Sequence, residues 1–470
     1  MNKRSLGFYI LLLLTIIFFL IKDSKAQTFD TAYARKLQNA LNTLKANNSL
    51  VGISAAAYVP GQGLWQGTSG ISEAGVNLTP DYVFMTGSVM KNFVATIILQ
   101  LEEADSLSID DKLYQWLPRY NNIDSNITIK QMLNHTSGIY NFTDNPAFSN
   151  AMNSNLNRYW TPEEIVSQFV LPPNFAPGAS WRYCNTSYVL LGMIISKITR
   201  TSLSQQLHER FFTPLGMTNS FFEPQDSVTA PYAHNWVDLN GDGILDDASG
   251  IPRTAIYSST VGSSGITTNS ESLIKWGRNL YGGSLLTQTS RNKMLTFISM
   301  SSPGINGYGL GTFRYNANGR YCFGHGGNLF GYSCMYMYYP QDSICISLMV
   351  NRDVDTGPLA VNFMDKVITF RPVGIKNIST ENPAGYHLYQ NFPNPFNPET
   401  SINFSLPKQS DVKLNIYNSL GKLVQNVFEG KLQSGTYNYK WNAADFPSGV
   451  YFYKIETSDF TSVKKMSLVK

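Results

Sequence analysis

Ser88-Val89-Met90-Lys91, Tyr183-Cys184-Asn185 and His325-Gly326-Gly327 occur in that order along a chain of 470 residues. A serine hydroxyl, a lysine amine and a phenol can together transfer an acyl group without a histidine base or a metal. The serine oxygen is a poor nucleophile at neutral pH, so it needs a base within hydrogen-bond reach and N–H donors where the oxyanion forms. Lys91 is the expected base, with desolvation lowering its pKa towards neutrality. Tyr183 is expected to relay the proton to the leaving group, and Asn185 to hold Lys91 and the substrate amide.

Ser-x-x-Lys alone is a weak signal, since it starts at Ser88, Ser272, Ser290, Ser405, Ser410, Ser419, Ser462 and Ser467. Only Ser88 follows a strand-like approach, Tyr82-Val83-Phe84-Met85, and a Thr86-Gly87 turn, and precedes a long apolar-periodic run over residues 93–101. That context puts Ser88 at a helix N-terminus, where free N–H groups and the dipole favour a developing oxyanion. Lys91, three residues on, falls on the same face. Tyr-x-Asn recurs at Tyr120 and Tyr389, but only Tyr183 precedes a helix-like run, residues 188–195; His-x-Gly occurs once.

These residues resemble the serine β-lactamase-related superfamily, in its class C β-lactamase and D-alanyl-D-alanine carboxypeptidase branch, over most of residues 30–370. Leu107-Ser108-Ile109-Asp110-Asp111, the stretch 127–138 ending in His135-Thr136-Ser137-Gly138, Pro214-Leu215-Gly216-Met217 and the stretch 262–268 carry the resemblance further. It implies an α/β (α+β) fold: an antiparallel sheet flanked by helices, plus an all-helical lobe, with the site in the cleft between them. It also implies oxyanion donors at the backbone N–H groups of Ser88 and Asn328, close approach of substrate along Gly326 and Gly327, and His325 facing the substrate's carboxylate end. No cofactor is implied, and no metal.

Two departures matter. His325 stands where antibiotic-hydrolysing members usually have lysine, and Gly326 where threonine or serine is common. The expected activity is hydrolysis, through an acyl-enzyme on Ser88, of peptides or amides containing D-amino acids, or of small esters. A true β-lactamase, and a catalytically silent protein that binds peptidoglycan or penicillin, remain open. With an ordinary pKa near 6.5, His325 is expected to be partly charged at neutral pH; the other reading makes it a structural residue of its strand.

The elements that must position these groups follow from periodicity. Residues 30–46 form an amphipathic helix, with Tyr33, Leu37, Ala40, Leu41 and Leu44 on one face. A hairpin follows over 52–67, turning at Pro60-Gly61. Residues 88–300 are mainly helical, with a capping-type start at Thr161-Pro162-Glu163-Glu164. Strands return over 321–351 and can complete one antiparallel sheet with the first hairpin, and 365–370 ends a terminal helix.

Residues 373–390 are expected to be a linker, and 391–470 a small β-sandwich, because 412–417, 437–441 and 449–455 alternate apolar with polar residues between turns. This last module resembles the C-terminal type A sorting domain of type IX secretion systems, and so implies that machinery as a partner; an accessory binding sandwich is the other reading. Residues 1–26 have a basic start, an apolar run over 8–21 and Ser24-Lys25-Ala26, the pattern of a cleaved signal peptide. The expected destination is the exterior or cell surface, through the periplasm of a Gram-negative, Bacteroidetes-like bacterium, with no stable membrane span after signal removal.

Four of the 36 basic residues and one of the 32 acidic ones lie in that leader, so the mature charge is nearly balanced. No nucleic-acid or anionic-surface partner follows from it. Of the four cysteines, Cys322 and Cys334 could form a cross-strand bridge, but buried free thiols are the expectation for Cys184, Cys322, Cys334 and Cys345. The run 238–246 matches the first nine positions of a calcium loop, but Ser249 holds the twelfth, so a plain polar loop is the default.

Overall fold

The computed structural model describes residues 29–300, 304–371, 375–379, 381–444 and 446–470. The chain divides into a unit ending at Thr369 and a second spanning Phe370–Lys470. The expected signal peptide lies outside the described residues. Among those described, no helix is long and apolar enough to cross a membrane.

The first unit is built on an eight-stranded antiparallel sheet. From one edge to the other its strands are Val76–Asn77, Gly63–Glu73, Gly52–Val59, Ile344–Val350, Tyr332–Tyr339, Arg320–Leu329, Phe313–Ala317 and Ile305–Tyr308. The expected hairpin is present, with Gly52 opposite Gly70, and Ile53 pairs with Val350 to join the two ends of the unit. The central strands are buried on both faces, so they are near-continuous apolar runs rather than alternating ones.

Strand alternation assigns the two covering layers. A Cβ at Gly277, in the helix Ser270–Tyr281, would lie 2.9 Å from Cys345 Sγ, so that helix covers the Cys345 face. The next residue, Ile346, is in register with Ala57 and through it with Trp65. On that opposite face Trp65 meets Phe363 of the helix Thr356–Phe370 at 5.7 Å. The helix Thr31–Asn47, capped by Asp30 accepting from Tyr33 N at 2.7 Å, is tied to the same layer by a bond from Tyr33 Oη to the Val367 carbonyl.

The helical lobe contains Met90–Glu103, Pro162–Phe169 and Asn185–Thr199 among its helices. Thr161 and Glu164 close the expected capping box. The lobe is locked to the sheet layer where Phe93 stacks on Trp276 at 3.6 Å and Trp276 Nε1 donates to Asn92 Oδ1 at 2.9 Å.

The second unit holds two four-stranded sheets around a core that includes Ile402, Trp441, Tyr453 and Met466. The strand Gly435–Asn442 alternates inward and outward along much of its length. Within the expected linker, Lys376–Ser379 pairs with the Gly435–Asn442 strand and His387–Leu388 with Glu399–Leu406, so these two short segments are edge strands of the second unit. The polar composition of the stretch suits edge strands as well as it suits a linker.

The four cysteines are buried and free. Cys334 lies opposite Gly327, five residues from Cys322 on the neighbouring strand. That offset of roughly 17 Å at about 3.3 Å per residue excludes a bridge between Cys322 and Cys334.

Candidate active site

The nucleophile turn exists because two glycines let strand and turn pack backbone to backbone. Phe84–Met85 leads into a tight turn, Gly87–Val89, and then the helix Met90–Glu103. Gly87 has φ +51°, and a Cβ there would come within 2.8 Å of the Asn328 carbonyl. A Cβ at Gly327 would lie 2.0 Å from Thr86 O and 2.6 Å from Ser88 N. Side chains at either position would push the Arg320–Leu329 strand off the turn. The last pairing with Phe313–Ala317 is at Gly324, so beyond it this strand has an edge free of that neighbour beside Ser88.

Lys91 Nζ lies 3.0 Å from Ser88 Oγ and donates to the Ser263 carbonyl at 3.0 Å. Burial pushes its pKa well below the ordinary lysine value. The nearby Cys184 thiol is itself raised by burial, so at neutral pH it offers the amine no counter-charge. Burial thereby favours the uncharged form of the amine beside the Ser88 hydroxyl.

Tyr183 is hydrogen-bonded to Ser88, its ring centroid lies 4.7 Å from Lys91 Nζ, and burial raises its pKa above the ordinary phenol value. It is therefore a neutral phenol, a donor rather than a base. Behind it, His135 packs ring to ring with Tyr183 at 4.4 Å and Tyr308 at 4.7 Å, and its Nδ1 accepts the Cys184 N–H at 3.1 Å.

His325 faces the cleft but not as a cation. It is 1 % exposed, and burial, then the neighbouring Lys91, push its pKa down to about 3. Its Nδ1 lies 2.6 Å from the Gly326 carbonyl, which requires the proton on that nitrogen, and Nε2 is then free to accept from Tyr308 Oη at 3.3 Å. The expectation of partial charge at neutral pH is overturned by desolvation, a property of the folded environment that the motif does not encode.

Asn185 is placed differently from the expectation. Its N–H goes to Asn141 Oδ1 at 2.9 Å and its amide to Thr143 Oγ1 at 3.1 Å, while the Ser263 carbonyl takes the Lys91 bond foreseen for it. As the first residue of its helix, Asn185 is pinned to the 141–143 segment. Asn328 is exposed on the strand edge, with Nδ2 donating to Val354 O at 3.3 Å. A cleft of about 840 Å³ is lined by Ser88, Tyr183, His325, Gly326, Gly327 and Asn328, together with apolar walls such as Phe313 and Met335.

Residues 37–367 match the family described as Beta-lactamase. The chain belongs to the beta-lactamase family. Residues 390–469 match the secretion system C-terminal sorting domain. Among relatives, penicillin-binding protein 4 of Amycolatopsis lactamdurans is 30% identical over 203 residues, which are 41% of this chain and 50% of that protein. Penicillin-binding protein 4* of Bacillus subtilis is 27% identical over 295 residues, 59% of this chain and 63% of that one. The chain thus spans between half and two thirds of the length of these two curated relatives. A solved D-stereospecific amidohydrolase from Streptomyces sp. superposes with a TM-score of 0.61 at 29% identity, covering 71% of this chain and 97% of that one.

In this beta-lactamase-family chain, Ser263, His135 and Tyr308 also touch the motif residues. Ser263 lies in the 262–268 stretch and His135 in the 127–138 stretch, two of the stretches that carry the family resemblance in sequence. Nothing in the sequence pointed to Tyr308. Among the described residues no group of three or more His, Cys, Asp or Glu is arranged to hold a metal. In the run 238–246, Asp238 accepts the N–H groups of Gly241, Asp242 and Gly243 at 2.7, 3.1 and 2.9 Å, a self-satisfied polar loop.

Proposed function

We propose that this chain is a secreted serine hydrolase that forms an acyl-enzyme on Ser88 and resolves it with water. The observation that carries the reading is the 3.0 Å approach of Lys91 Nζ to Ser88 Oγ, made by an amine whose burial favours the uncharged form. Lys91 takes the Ser88 proton as its oxygen attacks the acyl carbon. The backbone N–H groups of Ser88 and Asn328 stabilise the oxyanion, and as the bond from the acyl carbon to the leaving group breaks Tyr183 gives that group a proton and takes back the one held by Lys91. Gly326 and Gly327 admit substrate backbone beside the strand, while Asn185 acts on the substrate only through the segment it anchors.

The substrates proposed are amides or peptides of D-amino acids, or small esters. Supporting this, the solved relative at 29% identity is named a D-stereospecific amidohydrolase, and the cleft lacks the lysine that accompanies antibiotic hydrolysis in the resemblance. A panel of D- and L-amino acid amides, short esters and a chromogenic cephalosporin tests it. Turnover of D-amides or esters is expected; turnover of the cephalosporin alone would make the chain a β-lactamase.

Delivery is proposed to run through the leader into the periplasm and then, by the 390–469 sorting domain, through a type IX system. Deleting 391–470 should leave hydrolysis by the purified protein intact and strand it in the periplasm of its host. Equal export of both forms would make the segment an accessory module.

A further inference from the structure

The charge pattern of the cleft narrows the substrate class. Among the described residues, no lysine or arginine lines it, and its one ionisable carboxylate is Asp355. The cationic side chains on the adjoining strand and turn are engaged elsewhere. Arg314 lies over the rings of Phe297 and Tyr321 and donates to the Asn306 carbonyl, and Arg320 pairs with Asp365 at 3.1 Å. His325 is neutral, as argued above, and the Lys91 amine is turned to Ser88 and Ser263.

Asp355 is held at the cleft beside the proposed oxyanion site. Asn328 donates to the carbonyl of Val354, the residue before Asp355, and Val354 N donates to Ser333 Oγ at 3.0 Å, opposite Asn328 in the sheet. One Asp355 oxygen, Oδ1, accepts the Gly357 N–H at 2.9 Å, and the other has no protein donor among the described residues. Phe313, Met335, Met337 and Val361 give the cleft an apolar wall beside the uncharged polar Asn316, Asn318 and Thr356, and methionine adapts to varied side-chain shapes.

We infer that Asp355 is a specificity residue, and that the cleft selects amides or esters of apolar amino acids carrying a free ammonium group over acyl donors carrying a carboxylate. This rests on the hydrolase reading above. An ammonium in the cleft meets the free Asp355 oxygen, whereas a carboxylate meets a like charge and no cation.

The test uses the full chain with D-phenylalanine p-nitroanilide, its N-acetyl derivative and its N-succinyl derivative, in wild type and Asp355→Asn. Asparagine keeps the Oδ1 acceptor for Gly357 N–H, so the helix start is preserved. In wild type, kcat/KM should fall in the order free amine, acetyl, succinyl. Asp355→Asn should lower the free-amine to acetyl ratio by roughly fivefold or more and raise the succinyl to acetyl ratio. Raising salt on wild type from about 20 mM to about 500 mM should shrink both differences, a readout that does not depend on the variant folding. Turnover of all three with equal kcat/KM, or ratios unmoved by both salt and substitution, overturns the inference and leaves the hydrolase reading standing. No turnover of any of them, together with no covalent adduct on Ser88, overturns both.

Discussion

Lys91 Nζ donates to the carbonyl oxygen of Ser263 at 3.0 Å, and that bond decides what the amine can do for Ser88. With one N–H spent on the carbonyl and Ser88 Oγ at 3.0 Å, a neutral amine presents its lone pair to the serine hydroxyl. Burial disfavours the charged form of Lys91 and equally raises the phenol of Tyr183 away from phenolate. In the proposed mechanism these shifts suit the lysine to the role of base and the tyrosine to that of acid.

That assignment has a signature in stability. The folded pKa of Lys91 lies below its unfolded value, so between the two the unfolded chain binds more protons and stability rises with pH. Denaturant midpoints of wild type and Lys91→Met across pH 7 to 9 should diverge, wild type gaining up to about 1.4 kcal/mol per pH unit relative to the variant. Parallel curves would mean an ordinary, charged lysine.

Tyr183→Phe separates the acid role from the base role. A p-nitrophenyl ester expels a leaving group that needs no proton, whereas an alkyl amide requires one. The substitution should cost about 10² or more in kcat on the amide and much less on the ester. Equal losses would place Tyr183 in deprotonating Ser88 instead.

His325 titrates far below its usual range, with a folded pKa of about 3. Between that value and the ordinary 6.5 the unfolded chain binds the extra proton, so stability is lost as pH falls through this window. His325→Gln should remove a component of acid destabilisation of up to about 1.4 kcal/mol per pH unit. KM for a carboxylate substrate should be flat from pH 5.5 to 8 as far as His325 is concerned; an inflection near 6.5 that vanishes in the variant would return the histidine to a charged role.

The parts of this site that were legible in sequence are those set by local patterning. The turn before Ser88 and the long apolar run after it set Ser88 apart in sequence from the other Ser-x-x-Lys matches, although Ser272 and Ser290 also lie in the first turns of helices, and period-two and helical patterns revealed the hairpin, the strands after 320 and the lobe. Long-range packing was not legible. The Ser263 carbonyl reaches Lys91 across 172 residues of chain, and a carbonyl leaves no trace in residue type. The state of His325 depends on burial by Tyr308 and Phe313, which only the closed fold supplies. Asn185 was misplaced because its motif fixes the helix start and not the partner of its amide.

The most direct test of the account is intact-mass measurement of the protein after rapid quenching with a slowly hydrolysed aryl ester or a fluorophosphonate, followed by peptide mapping. One adduct is predicted, on Ser88, absent in Ser88→Ala and formed about 10² to 10⁴ more slowly in Lys91→Ala, the range for a lost general base. An adduct mapped to any other serine, or one that forms on Ser88 at an unchanged rate without Lys91, would contradict it.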